Sequence, residues 1–258
     1  MTEIERSIYD VKGKALIKEG KVGVLILAGG QGSRLGFDGP KGKYNVDLPS
    51  QKSLFQILTE RFFKAQLNAH EVDVEEIGED AEGKAVLKIP KEVQKCRMFV
   101  MTSYENHVET VQFFKQNFYF GGDESSFVFF PQTMLPALTT EGKIMMSSKG
   151  TLKLAPNGNG ALFDALYKDK YMRDELSKLD YIQIIGVDNI LNKVLDPIQV
   201  GFNANEDLLC SCKAVPKRNA SEKVGVIGKR NGKYDIVEYS ELPIDQANEM
   251  SGGQLKFN

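Results

Sequence analysis

Taken alone, the sequence reads as an α/β protein. A mixed, mostly parallel sheet carries helices on both faces and ends in an antiparallel extension. Three observations carry that reading. Residues 22–27 are an almost wholly apolar run, the pattern of a strand buried on both faces, as in a parallel sheet. Further apolar runs at 98–101, 127–130 and 181–187 alternate with segments of helical spacing. After residue 207 the pattern changes to short alternating runs with tight-turn residues, which read as antiparallel strands.

The elements follow in order. Residues 1–20 are charged and read as a short helix or a tail. The strand at 22–27 runs into Ala28-Gly29-Gly30, and a glycine-rich loop extends to about Pro49. Ser53 and Gln56 have capping-box spacing, ahead of Leu54, Leu58, Phe62 and Ala65 as an apolar helical stripe. Residues 70–94 are acidic, then basic, with little periodicity, and read as a surface insertion. A strand at 98–101 precedes a helix at 104–117 that turns Val108, Val111 and Phe114 inward. A short strand at 127–130, a loop with a small hairpin at 139–154 and a helix at 161–167 lead to the buried strand 181–187. Residues 208–214, 223–228 and 233–239 read as antiparallel strands, with Asn231-Gly232 as the last tight turn. With no repeat and no linker, residues 1–258 read as one domain.

Composition narrows the function. Hydrophobic residues make up 41% and charged residues 26%, as in ordinary globular proteins. The 33 Lys and Arg nearly cancel the 35 Asp and Glu. That balance excludes broad nucleic-acid binding, which needs a basic face, and leaves room for one phosphorylated ligand at a focused site. No run approaches the ~18 apolar residues of a membrane span, and residues 1–10 hold no apolar signal core. Three cysteines, an odd number, point to reduced thiols and a cytoplasmic location. Oligomeric state is left open.

Five segments could carry chemistry. Residues 27–36 read Leu27-Ala28-Gly29-Gly30-Gln31-Gly32-Ser33-Arg34-Leu35-Gly36, and Pro40-Lys41-Gly42 follows. Such a backbone can converge several N–H groups on one anion, with Arg34 and Lys41 adding charge. The spacing matches neither a dinucleotide fingerprint nor a Walker loop, and a flexible turn with incidental basic residues reads the segment as well. Asp188 closes a buried strand, where a carboxylate can hold Mg²⁺ or cap the next helix. Residues 155–160, Ala-Pro-Asn157-Gly158-Asn159-Gly160, suit ligand contact or a surface turn. Gln132 follows an apolar strand end and offers a donor and an acceptor to a pyrimidine edge. Glu238 and Ser240 share one face of the last strand, which polar-out alternation also explains. His70 and His107 lack partners at metal-ligand spacing, and Cys210-x-Cys212 is too little for zinc.

Residues 27–42 resemble the signature loop of nucleotidyltransferases that make nucleoside-diphosphate sugars, with Ser33 where the family more often has threonine. Four further blocks resemble the eukaryotic UDP-N-acetylglucosamine pyrophosphorylase family, in its order and with similar spacing. They are Phe130-Pro131-Gln132 with Met134-Leu135-Pro136-Ala137, residues 155–160, Val187-Asp188-Asn189-Ile190-Leu191, and Val237-Glu238-Tyr239-Ser240-Glu241. The resemblance implies a Rossmann-like nucleotide-diphospho-sugar transferase fold in a chain truncated at both ends relative to the family. It implies a uridylyltransferase joining UTP to N-acetylglucosamine 1-phosphate, with UDP-N-acetylglucosamine and pyrophosphate as products. By the same resemblance Leu27, Gly29, Gly30, Gln31, Gly32 and Ser33 hold the nucleotide, and Arg34 and Lys41 are catalytic. Gln132 and Gly158 read uracil, while Asn159, Gly160, Gly225 and Glu238 hold the sugar. Asp188 binds Mg²⁺, with Mn²⁺ as the alternative ion. A UDP-glucose or broad UDP-sugar pyrophosphorylase, or a non-catalytic nucleotide-sugar binding fragment, are the other readings.

Overall fold

The computed structural model describes residues 1–73, 77–79 and 85–256, in two compact units, Met1–Leu209 and Cys210–Asn258. The charged N-terminus is a full helix, α1 (Glu3–Lys18). Its capping box is complete: the Thr2 hydroxyl accepts from the Glu5 N–H at 3.2 Å, and the Glu5 carboxylate accepts from the Thr2 N–H at 2.6 Å. After β1 (Val22–Leu27), α2 (Leu54–His70) begins at Ser53, whose hydroxyl accepts from the Gln56 N–H at 3.2 Å. Only half of that expected box forms, because the Gln56 amide turns to Glu60 instead, at 3.0 Å. The antiparallel pair β2 (Ile77–Glu79) and β3 (Ala85–Leu87) falls in the expected insertion, part of which lies outside the described residues. Its C-terminal end is not surface. Ile89 and Val93 are buried in the main core, which a run of low periodicity did not signal.

β4 (Arg97–Thr102), α3 (His107–Gln116) and β5 (Phe127–Pro131) come next. In α3, Thr110 and Phe114 form the buried face, while Val108 is 65% exposed and does not turn inward. Two positions from Thr110, Val108 lies off the i, i+4 row that meets the core. The segment that follows folds as pairs: β6 (Met134–Pro136) with β9 (Leu154–Pro156), and β7 (Met146–Ser148) with β8 (Thr151–Leu152). Helices α4 (Ala161–Lys168) and α5 (Lys170–Leu176), strand β10 (Tyr181–Gly186) and helix α6 (Pro197–Asn205) complete the unit.

Four of these strands form one parallel sheet in the order β10-β1-β4-β5. Period-2 alternation divides its side chains between two cores. Val22, Val24, Ile26, Met98 and Val100 pack under residues of α1, α2, α3 and α6. Leu25, Phe99, Met101, Val128 and Phe130 pack under α4 and α5. A sheet covered on both faces must be apolar on both, which is why the β1 run is continuous. From β1 the chain steps to β4 and β5 on one side, then returns to β10 on the other. The strand order therefore reverses at β1, and ligands in such sheets bind beyond the carboxyl ends at that reversal. Among the described residues, no helix is long and apolar enough to cross a membrane.

Residues 208–214, which run from the end of the first unit into the second, form no strand. Alternation alone does not make a strand, because a ladder with a neighbouring backbone must complete it. The expected hairpin is present as β11 (Val226–Arg230) and β12 (Lys233–Val237). Asn231 (φ 53°) and Gly232 (φ 78°) both take positive φ, the conformation that a two-residue turn of this hand requires. A short helix, α7 (Ile244–Ala247), and the pair β13 (Met250–Ser251) and β14 (Gln254–Leu255) follow.

Candidate functional site

The carboxyl ends of the parallel strands carry Leu27, Thr102, Pro131 and Gly186, so the segments that leave them start from one edge. From β1 the glycine loop departs and folds back on itself. The Gly32 N–H donates to the Gly39 carbonyl at 2.9 Å, and the Lys41 N–H to the Gly30 carbonyl at 3.1 Å. Pro40 is buried, and Gly42 lies flat against the Phe55 ring, which a Cβ would approach to 2.2 Å. The loop is therefore a closed hairpin anchored in the core, which argues against a flexible turn. Within it the N–H groups of Gly29, Gly30, Gln31, Ser33 and Arg34 donate to no acceptor among the described residues. Leu27 closes the strand beneath them. The Arg34 side chain is exposed and forms no ion pair among the described residues.

Lys41 leaves this loop toward Asp188, and its ammonium lies 2.5 Å from the Asp188 carboxylate. The two residues are 147 positions apart, and only the pairing of β1 with β10 brings them together. That hydrogen bond holds the Asp188 carboxyl below the usual carboxylate range. Asp188 caps no helix: α6 is capped by Asp196, whose carboxylate accepts from the Ile198 N–H at 3.2 Å. With side chains 26% and 58% exposed, the pair stands at a mouth that a ligand can reach. Among the described residues no three His, Cys, Asp or Glu gather as a metal site. A lone carboxylate in a site whose loop has unengaged N–H groups fits Mg²⁺, which commonly takes one or two carboxylates plus phosphate and water oxygens.

Gln132 follows β5, and its N–H donates to the Thr102 carbonyl at 2.8 Å. The side chain is 5% exposed, and its Oε1 has no partner. A buried acceptor left open is costly unless something completes it. Gly29 lies directly against this amide, with Gln132 Nε2 only 2.1 Å from where a Cβ would stand. Next to Gln132, Thr133 binds Asn157 twice: its carbonyl accepts the Asn157 N–H at 3.1 Å and its hydroxyl the Asn157 amide at 3.2 Å. Gly158 (φ 78°), Asn159 and Gly160 thus follow directly from a residue fixed beside Gln132, as an exposed turn at the start of α4. A hollow of about 730 Å³ is lined in part by Tyr104, Thr133, Met134 and Leu154; of the groups above it takes in Thr133, and not Gln132 or residues 158–160. A cleft of about 800 Å³ between α1, α2 and residues 191–198 holds none of these groups, and is not this site.

Gly225 and Glu238 belong to the second unit. There they are neighbours at the open end of the hairpin: a Cβ on Gly225 would lie 3.7 Å from Glu238 Oε1. Glu238 stands one residue past the end of β12, not within a strand.

Sequence reasoning overlooked Asn106. Fully buried at the start of α3, it donates to the carbonyls of Ala28 (3.1 Å) and Gly30 (3.3 Å) and accepts the Ser103 N–H (2.8 Å). The signal was present as a Ser-x-x-Asn spacing where an apolar run gives way to a helix. Thr102 was overlooked as well. Its hydroxyl meets His107 Nδ1 at 2.8 Å and donates to the Phe130 carbonyl at 3.1 Å, tying the ends of β4 and β5 together.

A family model described as UTP--glucose-1-phosphate uridylyltransferase matches residues 4–257. UDP-N-acetylglucosamine diphosphorylase 2 of Arabidopsis thaliana is 36% identical over 99% of the chain and 50% of its own length. UDP-N-acetylglucosamine pyrophosphorylase of Saccharomyces cerevisiae is 36% identical over 89% of the chain and 44% of its own length. Among solved structures, the uridine diphosphate N-acetylglucosamine pyrophosphorylase of Trypanosoma brucei superposes with a TM-score of 0.82 at 34% identity, over 98% of this chain and 48% of that one. The chain spans about half the length of the curated relatives it matches.

Proposed function

Because the chain belongs to the UTP--glucose-1-phosphate uridylyltransferase family, we propose that it forms UDP-N-acetylglucosamine and pyrophosphate from UTP and N-acetylglucosamine 1-phosphate. The observation that carries this reading is the Lys41–Asp188 pair, set across the reversal of strand order beside a closed loop with unengaged N–H groups. The names of the relatives favour N-acetylglucosamine as the sugar. The description of the family model favours glucose 1-phosphate, and UDP-glucose formation is the second reading.

In this reaction an oxygen of the sugar phosphate attacks the α-phosphorus of UTP in line, and the bond to pyrophosphate breaks. The nucleophile is already an anion, so no residue need act as a base. The work left to the protein is to align two repelling anions and to stabilise charge on the leaving group. Gly29, Gly30, Gln31, Ser33 and Arg34 supply backbone donors to the triphosphate, Arg34 adds its guanidinium, Gly32 shapes the loop, and Lys41 turns its ammonium from Asp188 to phosphate. Gln132 completes its open acceptor on the uracil N–H, and Gly158 contacts the base from the adjoining turn. Asn159 and Gly160 take the sugar. Asp188 holds Mg²⁺, or Mn²⁺ in its place; the ion when bound offsets phosphate charge. A cytoplasmic setting is part of the proposal, on the odd number of cysteines, three.

The test is pyrophosphate release from UTP with each sugar 1-phosphate, over a Mg²⁺ titration, for the parent and Asp188→Asn. Expected is faster release with N-acetylglucosamine 1-phosphate and a loss of at least about a hundredfold in the variant, since metal stabilisation is worth several kcal/mol and ~1.4 kcal/mol is tenfold. Faster release with glucose 1-phosphate would install the second reading. UTP binding in calorimetry with no release would leave a nucleotide-binding fragment.

A further inference from the structure

We infer that Asn106 is a positioning residue for the nucleotide. By holding the carbonyls of Ala28 and Gly30, it turns the N–H groups of Gly29 and Gln31 toward the triphosphate. The inference rests on the nucleotide reading above and adds the residue that gives the loop its polarity.

The argument begins with the peptide unit. In a trans peptide the C=O and the N–H of the next residue point in opposite directions, and the chain has no cis peptide among its described residues. The N–H of Gly29 shares a peptide with the Ala28 carbonyl, and the N–H of Gln31 shares one with the Gly30 carbonyl. Asn106 Nδ2 draws both carbonyls to itself, at 3.1 and 3.3 Å. Both N–H groups must therefore face away from Asn106, and neither meets an acceptor among the described residues. The amide itself cannot rotate away, because its Oδ1 accepts the Ser103 N–H at 2.8 Å. Its acceptor and both donor directions are thus in use, and the side chain itself is fully buried.

A helix cap would explain a buried asparagine here, but the side chain does not serve the helix. Asn106 is the residue before α3, and its side chain accepts from none of the first N–H groups of that helix. The amide acts on the glycine loop. Two further bonds make the anchoring stiff: the Ala28 N–H donates to the Met101 carbonyl at 2.8 Å, and the Gly30 carbonyl also accepts the Lys41 N–H at 3.1 Å. The same contacts that aim the two amides thus fix where Lys41 leaves the loop.

Two variants separate positioning from folding. Asn106→Asp keeps the acceptor for Ser103 and loses both donors; Asn106→Leu is of similar size and adds no charge. Affinities for UTP and for uridine, which lacks phosphate, are read by calorimetry beside thermal unfolding. With two hydrogen-bonded anchors removed, UTP affinity should fall about tenfold or more in both variants, while uridine affinity stays within about twofold. Parent-like UTP binding would overturn the inference, and so would equal losses for UTP and uridine, which mark a structural role. Carbonyl-carbon NMR shifts of Ala28 and Gly30, read without ligand, test the anchoring itself. They should change in Asn106→Leu, and unchanged shifts would overturn it. A parent chain that shows this anchoring but binds no UTP would instead defeat the nucleotide reading.

Discussion

Gln132 and Gly29 act as one unit at the scale of single residues. The glutamine is buried with an open acceptor, and the glycine is what lets its amide lie where it does. A uracil ring presents an acceptor beside a donor, and cytosine reverses both along that edge, so each mismatched buried group costs about 1–3 kcal/mol. Gln132→Ala should therefore lower the preference for UTP over CTP by about tenfold or more, measured as the ratio of the two dissociation constants. Gly29→Ala should produce the same loss with Gln132 still present, because the new methyl takes the space of Nε2. Undiminished selectivity in Gly29→Ala would show that the amide does not read the base from this position. Asp188 makes a related point about isolated residues. Its carboxylate is as consistent with a cap as with a metal until the N-cap of α6 is found at Asp196.

At the scale of elements, the join between α1 and α6 is unusually close. A Cβ on Gly13 would stand 1.8 Å from the Pro197 carbonyl oxygen, and one on Gly201 the same distance from that of Tyr9. Each helix gives up a side chain so that the other's backbone can approach. Tyr9 then stacks edge-on against Phe202 and donates to the Glu206 carboxylate at 3.0 Å, while Lys12 donates to the Ala204 carbonyl at 2.8 Å. Overpacking of this kind costs about 1–3 kcal/mol and sometimes more. Gly201→Ala should lower the urea midpoint accordingly without changing the slope of the transition. Because the clash lies on helices away from the strand ends, UTP affinity should stay at the parent level. A loss of affinity in the folded variant would show that α6 supports the site.

At the scale of the whole molecule, a ligand bound at four strand ends should stabilise the sheet that presents them. Binding to the folded state alone adds about 2.7 kcal/mol at a ligand concentration of 100 Kd. For a domain near this size each kcal/mol raises Tm by about 2–4 °C. A thermal shift of several degrees is expected with saturating UTP, and a smaller one with CTP at the same concentration. Equal shifts for both nucleotides would point to the phosphates alone as the recognised part.

The parallel strands, the glycine loop, the helix at 161–167 and the Asn231-Gly232 turn were legible in the sequence, because each is written in neighbouring residues. Continuous apolar runs mark two-faced burial, glycines mark special backbone, and Asn-Gly dictates its turn. Three things were not legible, for a common reason. The strand expected at 208–214 needed a partner backbone that no local pattern can supply. Ile89 and Val93 belong to the core because of what surrounds them, not because of their period. Asn106 reaches Ala28 and Gly30 because β4 lies beside β1. That the glycine loop and Asp188 open on one edge was expected, since both follow buried strands, and the Lys41–Asp188 contact agrees with it. Local residue order carries most of the element types and the functional groups each candidate position offers. Which distant groups touch, as Asn106 touches the glycine loop, follows from strand order, a property of hydrogen bonds between segments scores of residues apart, and so it came only with the folded chain.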